Sequence, residues 1–180
     1  MGCAPMKLSD FNDTPPVLVL EDYFQGTTKA WGFFEDRFGT VRRQFTVDIA
    51  GTWENNILTL DEHFSYADGA KERRVWHLTK TGETTYEGLA QDVIGVAKGE
   101  RAGNAFRFQY TLNLPVGEST WRVNFDDWMF LQPGGVMLNK ATVSRWGIDI
   151  GRVTLSFAKP APPITQPSHQ DAHPQTSAAE

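Results

Sequence analysis

From Asn104 to Leu131 apolar and polar residues alternate with a period of two, and no other stretch limits the possible folds as strongly. Phe106, Phe108, Tyr110, Leu112 and Leu114 alternate with Arg107, Gln109, Thr111 and Asn113, which places the large apolar groups on one face of a half-buried strand. Pro115 to Glu118 ends that run, and Trp121, Val123 and Phe125 then alternate with Arg122 and Asn124. After Asp126 and Asp127 the phase slips, because the large apolar residues now fall at Trp128 and Phe130. Either a β-bulge at the aspartates absorbs one residue, or Asp127 follows Trp121 to Phe125 onto the buried face and Trp128 and Phe130 point away. The bulge is the expectation, with aspartates that bond nearby backbone amides.

The remainder of the chain extends the strand pattern. From Lys29 turn signals recur every ~8 to 12 residues, as in an all-β sandwich or barrel. Strands are expected near 29–36, 41–53, 57–66, 73–80, 84–90, 93–99, 104–114, 119–131, 136–145 and 148–158. Short links between neighbours favour an antiparallel meander, and closing it into a calycin-like or lipocalin-like barrel of about ten strands removes the exposed edges. Val17 to Phe24 reads as one short helix capping an end of the barrel. A second slip, from Ile148 and Ile150 to Val153, Leu155 and Phe157, points to a bulge at Gly151-Arg152.

Two hairpins fix a register. Asn55-Asn56 as a two-residue turn pairs Glu54 with Ile57, Ile49 with Glu62, Val47 with Phe64 and Phe45 with Tyr66, because asparagine tolerates positive φ. Glu62 and Arg43 then lie on the apolar face. In the next hairpin a three-residue turn, Ala67-Asp68-Gly69, brings Arg74, Trp76 and Leu78 to the face of Glu62 and turns His77 outward. That register is preferred because burying the tryptophan and the leucine stabilises by roughly 2 kcal/mol or more each, whereas arginine and histidine need partners.

Composition sets the class. The 180 residues, 40% of them hydrophobic, suit one barrel domain over residues 17–159, preceded by an extended tether at 1–16 and followed by a disordered Pro-rich tail at 160–180. Lys plus Arg number 17 against 22 acidic residues, a net charge of −5, so nucleic acid is not expected as a partner. No run of ~18 apolar residues is present to cross a membrane as a helix. Cys3 is the one cysteine, which excludes an internal disulfide and a multi-cysteine metal site. In Gly2-Cys3-Ala4 it resembles the lipidated cysteine at the end of a bacterial lipoprotein signal, although the regions that precede such a cysteine are absent. The expected location is the bacterial envelope if a signal precedes Cys3, and the cytoplasm otherwise.

Four blocks, Leu20 to Gly26, Trp31 to Gly39, Gly88 to Gly95 and Asn124 to Met129, together resemble the bacterial domain-of-unknown-function family 3833. The match runs from about Leu20 to Lys159. The resemblance implies an envelope lipoprotein with a calycin-like barrel, makes Cys3 a lipid anchor, and brings no assigned activity.

The chemistry is sparse. Asp127 beside Phe125 and Trp128 is a candidate acid or base, against the structural role of a bulge. Glu62 is a second candidate, and an inward carboxylate needs a partner such as Arg43 or Tyr66. Asp92 reads as a turn closure opening a strand, and Gly95, Gly99 and Gly103 lack the helix that a phosphate loop requires. His63 and His77 face outward, and His169 and His173 lie in the tail, so neither a metal nor another cofactor is expected. Six Trp, twelve Phe and four Tyr either fill the barrel or line a cavity. The function expected from this pattern is binding of a lipid or other apolar small molecule by Phe45, Phe64, Phe108, Tyr110, Trp121 and Phe125, with Glu62 orienting a polar head. Alternatives are an enzyme acting on lipid through Asp127 and Glu62, and a filled barrel that docks proteins through an apolar patch at Trp128 and Phe130.

Overall fold

The structure, a computed structural model, describes residues 5–160. Cys3 and residues 161–180, with the expected lipid anchor and nearly all of the expected tail, lie outside the described residues. Among the described residues ten strands follow one another: β1 (Gly26–Asp36), β2 (Val41–Glu54), β3 (Ile57–Tyr66), β4 (Lys71–Lys80), β5 (Thr85–Leu89), β6 (Ala97–Ala102), β7 (Ala105–Val116), β8 (Ser119–Leu131), β9 (Met137–Arg145) and β10 (Ile148–Ala158). Each pairs antiparallel with its neighbour, and β1 pairs with β10 from Lys29↔Ala158 to Asp36↔Gly151, so the meander closes as a barrel. Closure leaves no strand edge to template aggregation.

Local turn chemistry explains the registers. Asn55 and Asn56 have φ of 50° and 66°, and Glu54↔Ile57, Ile49↔Glu62, Val47↔Phe64 and Phe45↔Tyr66 pair as the turn requires. Gly69 has φ of 88°, and Glu62↔Arg74, Leu60↔Trp76 and Leu58↔Leu78 follow from the three-residue turn. The bulge of β10 falls between Asp149 and Gly151, one step before Gly151-Arg152.

Three expectations need correction. The strand expected at 93–99 is β6 at Ala97–Ala102: Arg101 and Ala102 continue its pairing with β7, while residues 90–96 form a loop. The helix is shorter than 17–24, comprising α1 at Leu20–Phe24. Most important, no bulge interrupts β8. Its pairing with β7 is unbroken from Ala105↔Phe130 to Val116↔Ser119, and with β9 from Asn124↔Ser144 to Leu131↔Met137. Asp127 therefore shares the interior face with Trp121, Val123 and Phe125, and Trp128 and Phe130 stand outside.

Those outer rings are not left to solvent. Within the segment read as an extended tether, Leu8–Phe11 form a 3-10 turn, and Phe11 packs 6.3 Å from Trp128 and 5.2 Å from Phe130. Trp128 is only 6% exposed as a result. The strap rests on Gly103, where a Cβ would lie 1.9 Å from the Phe11 carbonyl oxygen, and the Gly103 carbonyl accepts the Leu18 amide at 2.8 Å.

The helix α1 closes one end. Leu18, Leu20, Tyr23 and Phe24 are buried against the core, and the Tyr23 hydroxyl donates to the carbonyls of Gly135 and Phe157. Glu21 in α1 accepts from Lys80 at 2.5 Å and from the Tyr86 hydroxyl at 2.8 Å, tying the helix to the barrel wall. Gly51 makes the seat, since a Cβ there would lie 1.9 Å from the Phe24 carbonyl oxygen.

Candidate functional site

Below the α1 plug the barrel is filled. Trp76 meets Phe108 edge-on at 5.1 Å, Tyr86 meets Phe106 at 5.8 Å, and all four rings are buried. At the opposite end the inward-facing residues Phe34, Phe45, Phe64, Tyr66, Tyr110, Trp121 and Phe125 are only half-buried. Phe45, Phe64 and Tyr66 form one aromatic wall, with centroids 5.6 to 6.1 Å apart. Tyr110 stacks on Phe125 at 5.1 Å, and with Trp121, Leu112, Val123 and Val143 builds a second wall. These inward rings keep partial contact with solvent, so this is the looser end of the barrel, a shallow cup of half-buried rings over a packed floor.

The short strands β5 and β6 leave a gap in the wall at this end, between β4 and β7. The loop at residues 90–96 fills it: Val93 bridges Leu112, the Ile94 amide donates to Thr111, and Asp92 receives Arg74 through two nitrogens at 3.0 and 2.7 Å. Asp92 is thus the partner of a barrel arginine rather than a turn closure.

Arg74 belongs to a polar group set among the rings. Glu62 shares its face, and no hydrogen bond reaches the Glu62 carboxylate among the described residues. Burial pushes its carboxyl up to about 7; Arg74 opposes this, and the Asp127 and Asp92 carboxylates add to it. Burial also works against the charge of Arg74, yet Glu62 and Asp92 hold its pKa above the ordinary value. Asp127 is 5% exposed and accepts the Asn139 amide at 3.3 Å. Burial pushes its carboxyl up to about 6, against the pull of the Tyr110 hydroxyl and the Asn139 amide. Burial and the neighbouring Asp127 raise Tyr110 as well. Asn139 Oδ1 is buried and has no partner among the described residues.

The residues singled out from the sequence thus separate by depth. Phe45, Phe64, Tyr110, Trp121 and Phe125 line the mouth, Glu62 lies between the walls, Asp127 lies on the floor, and Phe108 belongs to the packed core. Neither expected partner reaches Glu62. Arg43 lies 3.3 Å from the Tyr66 ring centroid and pairs with Asp68 and Glu72, while the Tyr66 hydroxyl donates to Glu72. The Trp128 and Phe130 patch is covered by Phe11 and cannot serve as the exposed docking face. Arg74 and Asn139 were not among the site residues, although the register that turned Glu62 inward turned Arg74 inward too. Among the described residues no group of three or more His, Cys, Asp and Glu is placed to hold a metal ion.

Two depressions lie elsewhere on the surface. One of about 370 Å³ runs beside Leu8, Glu87 and Arg107, and one of about 460 Å³ lies over β1 to β3 and reaches the rim at Phe45 and Tyr66. Neither touches Glu62 or Asp127.

An S-type phycobiliprotein lyase from Guillardia theta is similar in structure, with a TM-score of 0.59 over 79% of this chain and 91% of that chain, at 8% sequence identity. At that identity the likeness bears on the fold, a lipocalin-like closed barrel. No curated protein matches the chain in sequence. The model of the family described as "Protein of unknown function (DUF3833)" matches residues 1–159, in agreement with the four blocks read above, and the chain belongs to that family.

Proposed function

We propose that the open end of the barrel binds an apolar small molecule of lipid class, at the bacterial envelope, with Phe45, Phe64, Tyr110, Trp121 and Phe125 as its walls. One observation carries this: large aromatic side chains face inward at one end and remain half-exposed, whereas the other end is packed and plugged by α1. Burying apolar surface stabilises by roughly 25 cal/mol per Å², so such rings gain by accepting an apolar occupant. Arg74 and Glu62 supply one cationic and one protonatable group for its polar end. The phycobiliprotein lyase of similar fold is a precedent for chemistry on this kind of barrel.

The test is extraction and mass spectrometry of protein purified without detergent, together with titration of an uncharged fluorescent naphthylamine probe. Retained lipid and saturable probe binding, weakened by about tenfold in Phe125→Ala, support the cup. A protein that retains no lipid and leaves the probe unquenched and unshifted overturns it.

A second reading draws on the two carboxylates. Glu62 and Asp127 face one interior, and each has a pKa near neutrality, which suits proton transfer at physiological pH. On this reading the occupant is a lipid substrate. Unchanged cellular lipid composition in Asp127→Asn and Glu62→Gln strains would remove it.

A further inference from the structure

The rim of the cup carries two side chains whose placement the barrel itself does not explain. Phe38, at the tip of the β1–β2 turn, is 77% exposed, and Trp146, at the tip of the β9–β10 turn, is 82% exposed. They are the two most exposed large apolar side chains among the described residues. The turns are neighbours, because the Arg37 amide donates to the Ile150 carbonyl at 3.1 Å. Ile148 and Val41, 58% and 47% exposed, extend the apolar surface around them.

Both tips are held in place. The Asp36 carboxylate accepts the Phe38 and Thr40 amides at 2.9 and 3.1 Å, which fixes the first turn with its phenyl ring outward. Trp146 has φ of 53° and precedes Gly147 at φ 78°, the conformation of a two-residue hairpin turn that asparagine fills best. A bulky side chain in the left-handed region is disfavoured. The tryptophan is therefore worse for the turn than asparagine and, at 82% exposure, gains little from burial.

Each ring has an arginine over it. The Arg37 guanidinium lies 4.7 Å from the Phe38 centroid, and that of Arg145 lies 4.0 Å from Trp146 and 4.2 Å from Trp121 in the cup wall. Residues 35–43 and 144–152 hold five arginines against Glu35, Asp36 and Asp149, in a chain of net charge −5; Arg42 pairs with Asp36 and Arg43 with Asp68 and Glu72, which leaves Arg37, Arg145 and Arg152 for the rim. Asp36 is taken up by Arg42 and the turn amides. Exposed aromatic tips backed by arginine fit a boundary that is apolar below and anionic above.

We propose that the mouth docks on an anionic phospholipid bilayer, with Phe38 and Trp146 entering the interface and Arg37 and Arg145 meeting lipid phosphates. The cup then opens onto the source or destination of its occupant. Docking at the mouth rests on the cup reading for its purpose, so binding to vesicles and binding in the cup are measured separately.

Full-length protein carrying Cys3→Ser, so that no acyl chain contributes, is floated with vesicles of phosphatidylglycerol and phosphatidylcholine, and with phosphatidylcholine alone. Binding to the anionic vesicles with a blue shift of tryptophan fluorescence is expected, falling about tenfold or more in Phe38→Ser and in Trp146→Asn. Trp146→Asn is the decisive variant, because its melting temperature is expected to hold or rise while vesicle binding falls. Both variants should bind the naphthylamine probe as the parent does. Parent protein that stays off anionic vesicles, or variants that bind them equally, overturn the proposal while leaving the cup intact. A dimer in lipid-free buffer that Phe38→Ser dissolves would place a second copy on the rim and overturn it too. Loss of probe binding with vesicle binding retained would overturn the cup and leave the docking surface standing.

Discussion

A carboxylate enclosed by aromatic rings is held there against its own solvation, and Asp127 and Glu62 are both in that position. Their raised pKa values set the sign of their effect on stability. The folded state binds the proton more tightly than the unfolded state does, so each group's favourable contribution is complete below its ordinary value of 3.8 or 4.5. It is lost as pH rises through about 6 for Asp127 and about 7 for Glu62. Asp127→Asn and Glu62→Gln are accordingly expected to match the parent at pH 4 and to exceed it at pH 8, each by about 1–2 kcal/mol after solvent screening is allowed for. Urea denaturation at the two pH values checks this, and an equal or lower stability at pH 8 would show that the carboxylates are satisfied where they lie. The sequence left the face of Asp127 open for a physical reason. Two outward rings, Trp128 and Phe130, look like core when only their own strand is read, and their cover comes from Phe11, more than a hundred residues away in the chain.

At the scale of elements, α1 is a plug fastened by one charged contact. Glu21 is 7% exposed and joins Lys80 and Tyr86. Burial acts to raise its pKa, but the contacts with Lys80, with its own backbone amide and with Tyr86 outweigh this and leave it lowered. The stabilisation is therefore present above the ordinary carboxyl range and lost as pH falls through the lower folded value. Glu21→Ala should cost about 2–3 kcal/mol at pH 7, since it strands two polar partners at the closed end. The difference from the parent should narrow in thermal melts toward pH 3, and a constant difference would assign the loss to helix packing instead. Element boundaries were legible wherever turn chemistry is local. Asn55-Asn56 and Gly69 fix both registers of β3 without help from the rest of the chain. The strand β6 was misplaced because its signal is not local: Gly99 carries no side chain and makes room for the ring of Phe106, whose position depends on β7. The Arg74–Asp92 contact was hidden for the same reason, as it joins a strand to a loop that patches the wall.

At the scale of the whole molecule the barrel has two unlike ends, and this asymmetry is itself testable. The closed end has buried rings, a plug and satisfied carbonyls, whereas the open end has half-exposed walls and long hairpins that outrun the short strands β5 and β6. Regions with few buried contacts open at lower free energy than the core. Amides near Leu114 and Trp121 should therefore exchange with deuterium faster than those near Phe106 and Met129, although all four residues belong to one continuous β7–β8 ladder. An occupant of the cup binds the folded state alone and adds protection where it touches, by RT ln(1 + [L]/Kd). Saturation with the naphthylamine probe should slow exchange at 43–47, 64–68 and 110–125 and leave 49–60, 97–106 and 129–137 as they were. Protection spread evenly over both ends would mean that the probe only stabilises the barrel as a whole. Protection confined to the mouth would locate the occupant between the two aromatic walls, above Asp127 and beside the rim that carries Phe38 and Trp146.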